Sequence, residues 1–127
     1  MFKIDGTTKQ ISLTRGDAAV VDVTAKNPDG TDYVFLKGDI VRFKVFKAKD
    51  CGCVELQKDV EVKEENTVVQ VDLTKANTKI GEIISKPTTY WYEIELNPDT
   101  NPQTIIGYDE DGAKVFMLYP EAGDNKW

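Results

Sequence analysis

Ile40-Val41-Arg42-Phe43-Lys44-Val45-Phe46 and Tyr90-Trp91-Tyr92-Glu93-Ile94-Glu95-Leu96 are the two stretches that decide how this chain folds. In both, apolar side chains fall on every second residue, the pattern of a strand with one face on a core and one in water. The stretches also fit each other. Set antiparallel, they bring Val41 opposite Leu96, Phe43 opposite Ile94 and Val45 opposite Tyr92 on one face. On the other face Arg42 meets Glu95, Lys44 meets Glu93 and Phe46 meets Trp91. A slip of one residue would set charge against core, so the register is strongly specified. Strands over 39–48 and 89–97 are therefore predicted as neighbours, as the third and sixth strands of an immunoglobulin-like fold are.

Outward from this pair, further period-two segments lie at 9–14, 18–26, 54–63, 67–73, 103–108 and 113–119. Turn chemistry separates them. Asn27-Pro28-Asp29-Gly30 presets φ at the proline and accepts positive φ at the glycine. Lys63-Glu64-Glu65-Asn66 reads as a short hairpin loop that sets Val60 against Val69 and Leu56 against Leu73. That hairpin turns Lys58 inward, a position a lysine tolerates at a sheet edge. Only 74–80 looks helical, with Thr74 as its cap. The expectation is an all-β chain: an immunoglobulin-like antiparallel β-sandwich of seven to eight strands with one short helical crossover turn. The sandwich spans 1–119, and 120–127 is a polar C-terminal tail.

At 127 residues the chain suits one domain, and its net charge of −6 makes a nucleic-acid backbone a poor partner. No apolar run approaches the roughly 20 residues of a membrane span, so no membrane contact is expected. Residues 1–10 contain no apolar signal-peptide core. Histidine is absent, and neither Ser12 nor Ser85 sits in a nucleophile elbow. No glycine-rich phosphate loop is present. No catalytic residue, cofactor or metal is expected, and the chain is not read as an enzyme.

Three local motifs take structural readings. Cys51-Gly52-Cys53 is read as an exposed strand-to-strand turn with two free thiols, because no further cysteine or histidine completes a zinc site. Asp109-Glu110-Asp111 is read as a tight acidic turn, since the closing glutamate of an EF-hand loop is missing. Arg15-Gly16-Asp17 is read as a turn between strands. What remains is a surface. Phe46 and Trp91 share an outer sheet face with Arg42, Lys44, Glu93 and Glu95, and these six residues form the candidate interaction surface.

The segments Ile11-Ser12-Leu13-Thr14-Arg15-Gly16-Asp17, Lys37-Gly38-Asp39-Ile40-Val41-Arg42-Phe43 and Tyr92-Glu93-Ile94-Glu95-Leu96 carry a family likeness. So do Asp29-Gly30 ahead of Tyr33, Leu73-Thr74 and Thr104-Ile105-Ile106. Together they resemble small prophage proteins of Gram-positive bacteria, related to the N-terminal domain of phage upper-baseplate proteins. The likeness covers about residues 2–119. It implies a non-catalytic structural module of a phage or prophage tail or baseplate. The implied partners are other phage structural proteins or further copies of the chain. It also implies synthesis in the bacterial cytoplasm and association with the virion. A cell-surface immunoglobulin-like domain that binds a glycan or a protein is the alternative.

Overall fold

The computed structural model describes residues 9–48, 53–80, 86–108 and 112–120, and the backbone of 2–4. Cys51, the acidic turn at 109–111 and most of the tail, 121–127, lie outside the described residues. The chain is all-β. Its strands are β1 (Phe2–Ile4), β2 (Ile11–Thr14), β3 (Ala19–Val23), β4 (Ile40–Phe46) and β5 (Val54–Glu61). They continue with β6 (Val69–Leu73), β7 (Thr88–Leu96), β8 (Gln103–Ile106) and β9 (Lys114–Tyr119). One helical turn, α1 (Lys75–Thr78), stands between β6 and β7. Thr74 caps it, and Asn77 returns the bond to the Thr74 backbone in a capping box. Among the described residues, no helix is long and apolar enough to cross a membrane.

Seven strands form one curled mixed sheet in the order β1-β2-β9-β7-β4-β5, with β8 beside β7. Strands β3 and β6 form a second, two-stranded sheet. The β4–β7 pairing has the register read from the sequence, from Val41 opposite Leu96 to Phe46 opposite Trp91. Alternation then sorts the side chains. Val41, Phe43 and Val45 are fully buried, and so is Ile94. They join Ile11, Leu13, Phe116 and Leu118 from β2 and β9, and Val21, Val23, Val71 and Leu73 from the second sheet, in one core. Phe43 stacks on Tyr92 at 5.6 Å between ring centroids and meets the edge of Phe116 at 6.2 Å.

Several expectations are corrected. The sheet is not antiparallel throughout: β2 runs parallel to β9, from Ile11 opposite Phe116 to Thr14 opposite Tyr119. A parallel pair needs a long connection, and here most of the chain supplies it, so no local turn announces the pairing. Strands 54–63 and 67–73 do not form a hairpin. β5 pairs with β4, Val60 opposite Val41 and Lys58 opposite Phe43, whereas β6 pairs with β3, Val71 opposite Val21. The chain changes sheets because 62–66 follows the 35–39 segment instead: the Val62 N–H donates to the Asp39 carbonyl at 2.8 Å, and Phe35 bridges to Asn66. Lys58 does lie on an edge strand, on the core side, and its Nζ escapes to Asn77 Oδ1 at 3.4 Å. Cys53 is disulfide-bonded and so is not the free thiol expected of it.

The Arg15-Gly16-Asp17 turn is pinned from three sides. The Arg15 N–H donates to the Tyr119 carbonyl at 2.9 Å, and the Arg15 side chain, 7% exposed, donates to the Ile80 carbonyl at 3.3 Å. Gly16, at φ 90°, donates to Thr78 Oγ1 at 3.0 Å. With its arginine buried in the fold, the tripeptide is a structural corner and not a surface signal.

Candidate functional site

The six residues singled out by sequence lie together on the outer face of the large sheet. Opposite the buried alternates of β4 come Arg42, Lys44 and Phe46, and opposite those of β7 come Trp91, Glu93 and Glu95. Strand register arranges them, with their neighbours on β5, β8 and β9, into three rungs. The first runs Asp59, Arg42, Glu95, Thr104. The second runs Gln57, Lys44, Glu93. The third runs Val54, Phe46, Trp91, Val115 and is wholly apolar.

The charged rungs pair among themselves, though not in the Arg42–Glu95 pair that the β4–β7 register alone suggests. Arg42 faces Glu95 along the ladder but turns its guanidinium to β5. Nε and Nη2 donate to the two carboxylate oxygens of Asp59 at 2.9 and 3.0 Å. Nη1 and Nη2 reach Asp99 at 3.4 and 3.1 Å. The planar fork of arginine meets the Asp59 carboxylate with two parallel bonds and reaches Asp99 from the same group. These bonds to Asp59 and Asp99 raise the Arg42 pKa, and the Arg42 bond holds the Asp59 carboxyl below its usual range.

Glu95 is left to Lys44, whose Nζ lies 2.7 Å from Oε1 and 3.7 Å from the nearer oxygen of Glu93. The Glu95 Oε1 is shut off from solvent, and the lysine approaches it off the hydrogen-bonding direction, so the contact is ionic in character. Lys44 Nζ also stands 5.5 Å from the Phe46 ring centroid. Glu93 sits where β7 exchanges β9 for β8 along its other edge. There Gly107 packs against it: a Cβ on Gly107 would lie 3.4 Å from Glu93 Cγ and 2.7 Å from Thr104 Cγ2. Burial, and next the neighbouring Glu95 charge, push the Glu93 pKa up, with Lys44 opposing.

That shift has a sign that can be measured. A carboxyl whose folded pKa is raised stabilises the fold below its unfolded pKa and loses that contribution as pH rises through the folded value. Glu93→Gln is therefore expected to match or exceed the parent in melting temperature at pH 7. The advantage should vanish as pH falls below about 4, where the glutamate is protonated in both states. Thermal melts of both proteins from pH 3 to pH 8 provide the check (about the range of carboxylate and near-neutral titration). A lower melting temperature for the variant at pH 7 would mean that the contact with Lys44 outweighs burial and repulsion.

The apolar rung has no such internal closure. Phe46, Trp91 and Val115 are half-buried, and Val54 is 44% exposed. The strip continues to Met117, whose sulfur lies 3.8 Å from Thr89 Oγ1. Sequence reasoning found Phe46 and Trp91 but missed Val54 and Val115. Both align with the aromatic pair only once β5 and β9 are known to flank it. A β-bulge between Val45 and Phe46 is what brings Val54 level with Phe46. Among the described residues, no group of three or more histidine, cysteine, aspartate or glutamate side chains is arranged to hold a metal. No family model, curated protein or solved structure matches the chain.

Proposed function

We propose that this chain is an immunoglobulin-like β-sandwich acting as a non-catalytic interaction module in a phage or prophage tail or baseplate. The fold reading is supported by the strand order. β7 and β4, read as the sixth and third strands, are neighbours within the large sheet, β2 runs parallel to β9, and β3 with β6 form a separate two-stranded sheet, which supports the sandwich reading. The single observation that carries the functional reading is the outer face. Its charges are taken up by each other, and Val54, Phe46, Trp91 and Val115 form an apolar strip beside them. Aromatic residues ringed by polar groups are the usual anchors of protein contacts. The partners in this reading are other phage structural proteins or further copies of the chain. The protein is made in the bacterial cytoplasm and joins the virion.

The test is co-purification with induced phage particles, read by mass spectrometry of intact tails. The chain is expected in the tails. Trp91→Asp is expected to lose it from them while costing less than about 1.5 kcal/mol of stability, because the site is only half-buried. Absence of the parent from particles, together with specific binding of a soluble glycan that Trp91→Ala abolishes, would instead assign the chain to cell-surface recognition.

A further inference from the structure

Cys53 is disulfide-bonded, and the sequence holds one other cysteine, Cys51. The bond therefore joins two residues separated only by Gly52. A structural crosslink stabilises a fold by closing a long loop of the unfolded chain or by tying together parts that nothing else holds. This one does neither. With one residue between its ends, it removes almost no freedom from the unfolded chain.

Nor does it join strands. The open end of the β4–β5 hairpin is already closed by backbone: Phe46 pairs with Val54, and the Lys47 N–H donates to the Cys53 carbonyl at 3.0 Å. Cys51 falls between Lys47 and Cys53 in sequence and not on β4, so the bond spans no gap that the ladder leaves open.

Its setting is that of an exchangeable disulfide. Cys53 is exposed, whereas Leu56, three residues on, is already in the core. Exchange requires a thiolate to reach one of the two sulfurs, so exposed disulfides are the labile ones and buried ones resist. The hairpin ladder holds the Cys53 backbone in place without help from the bond. The one-residue spacing keeps a released Cys51 thiol within reach, so the bond can close again as readily as it opens.

We propose that Cys51-Gly52-Cys53 is a thiol-exchange site whose substrate is an external thiol. The incoming thiolate attacks Cys53 Sγ and forms a new S–S bond there. The Cys51–Cys53 bond breaks, its electron pair stays on Cys51 Sγ, and that sulfur takes a proton from water. In the return step the Cys51 thiolate attacks Cys53 Sγ and expels the thiol. Each step trades one S–S bond for another, so no separate oxidant or reductant is consumed. The thiol belongs to a small molecule or to a protein cysteine. A protein cysteine has a route by way of the outer face, because Val54, next to Cys53, begins the apolar strip with Phe46 and Trp91. The exchange itself rests on the sulfur pair and not on the outer-face reading.

The test uses the full folded chain, reduced and oxidised glutathione, and a capped peptide, Ser-Val-Cys-Phe-Ser, with intact mass as the readout. Reduced glutathione is expected to open the disulfide of the folded chain at a rate within about tenfold of that in urea. After treatment with oxidised glutathione, Cys51→Ser is expected to hold one glutathione per chain on Cys53. The reduced parent, treated alike, is expected to close its own disulfide and keep none. The double variant Cys51→Ser, Cys53→Ser is expected to melt within about 4 °C of the parent. Faster exchange with the peptide than with glutathione, lost in Trp91→Asp, would support the site and assign its thiol to a docked protein. Equal rates would support it with a small-molecule thiol. The proposal is overturned by opening that occurs only after unfolding, by a larger loss of melting temperature in the double variant, or by no adduct on Cys51→Ser.

Discussion

Phe43→Ala is expected to cost about 3–5 kcal/mol, the largest effect of any substitution considered for this fold. Phe43 has no exposed surface, stacks on Tyr92 and meets Phe116, so its removal empties the meeting point of β4, β7 and β9. The surrounding strands are held by ladders on both sides and have little freedom to collapse into the space. A domain of this size has about 5–15 kcal/mol to lose, so the variant should fold but melt early. Urea unfolding is the measurement, with a midpoint lower by about 1.5–3 M at unchanged slope. A loss under about 1.5 kcal/mol would mean the core repacks around the gap, contrary to the rigid frame inferred here.

The second large effect is expected away from the apolar core. Thr78→Val should cost about 2–4 kcal/mol although it preserves shape. Thr78 is fully buried, and its hydroxyl accepts the Gly16 N–H at 3.0 Å and donates to the Asp17 carbonyl at 2.8 Å. Valine would leave both backbone groups without this partner in a site closed to water. Thr78→Ser should recover most of the loss by keeping the hydroxyl. Equal melting temperatures for the valine variant and the parent would show that another group takes over both bonds.

These two residues mark what a sequence can and cannot disclose. Phe43 was legible because β4 and β7 agree on both faces at once, and no competing register does. Thr78 was not, because its partners are some sixty residues away and no pattern links a helical turn to the Arg15-Gly16-Asp17 corner. The misread hairpin has a similar cause. Two alternating strands joined by four polar residues look alike whether the chain turns back or crosses to another sheet. Lys58 carried the hint, since an inward lysine fits an edge, and β5 is an edge of the large sheet. The outer face was half legible: its six residues came together as read, but Arg42 bonds Asp59, its register partner on the other side, and Asp99, and that flank was hidden while β5 was read as pairing with β6.

The parallel seam between β2 and β9 bears on how the chain comes off the ribosome. Ile11 meets Phe116 and Thr14 meets Tyr119, so the partner on this flank of β2 is made about a hundred residues after it. Until residue 119 clears the exit tunnel, β2 lacks its β9 neighbour, and the closing step must gather strands far apart in sequence. Such distant pairing is slow relative to local pairing. The nascent domain therefore waits with its apolar β2 residues, Ile11 and Leu13, uncovered, and is exposed to chaperones and to neighbouring nascent chains for the length of its own translation.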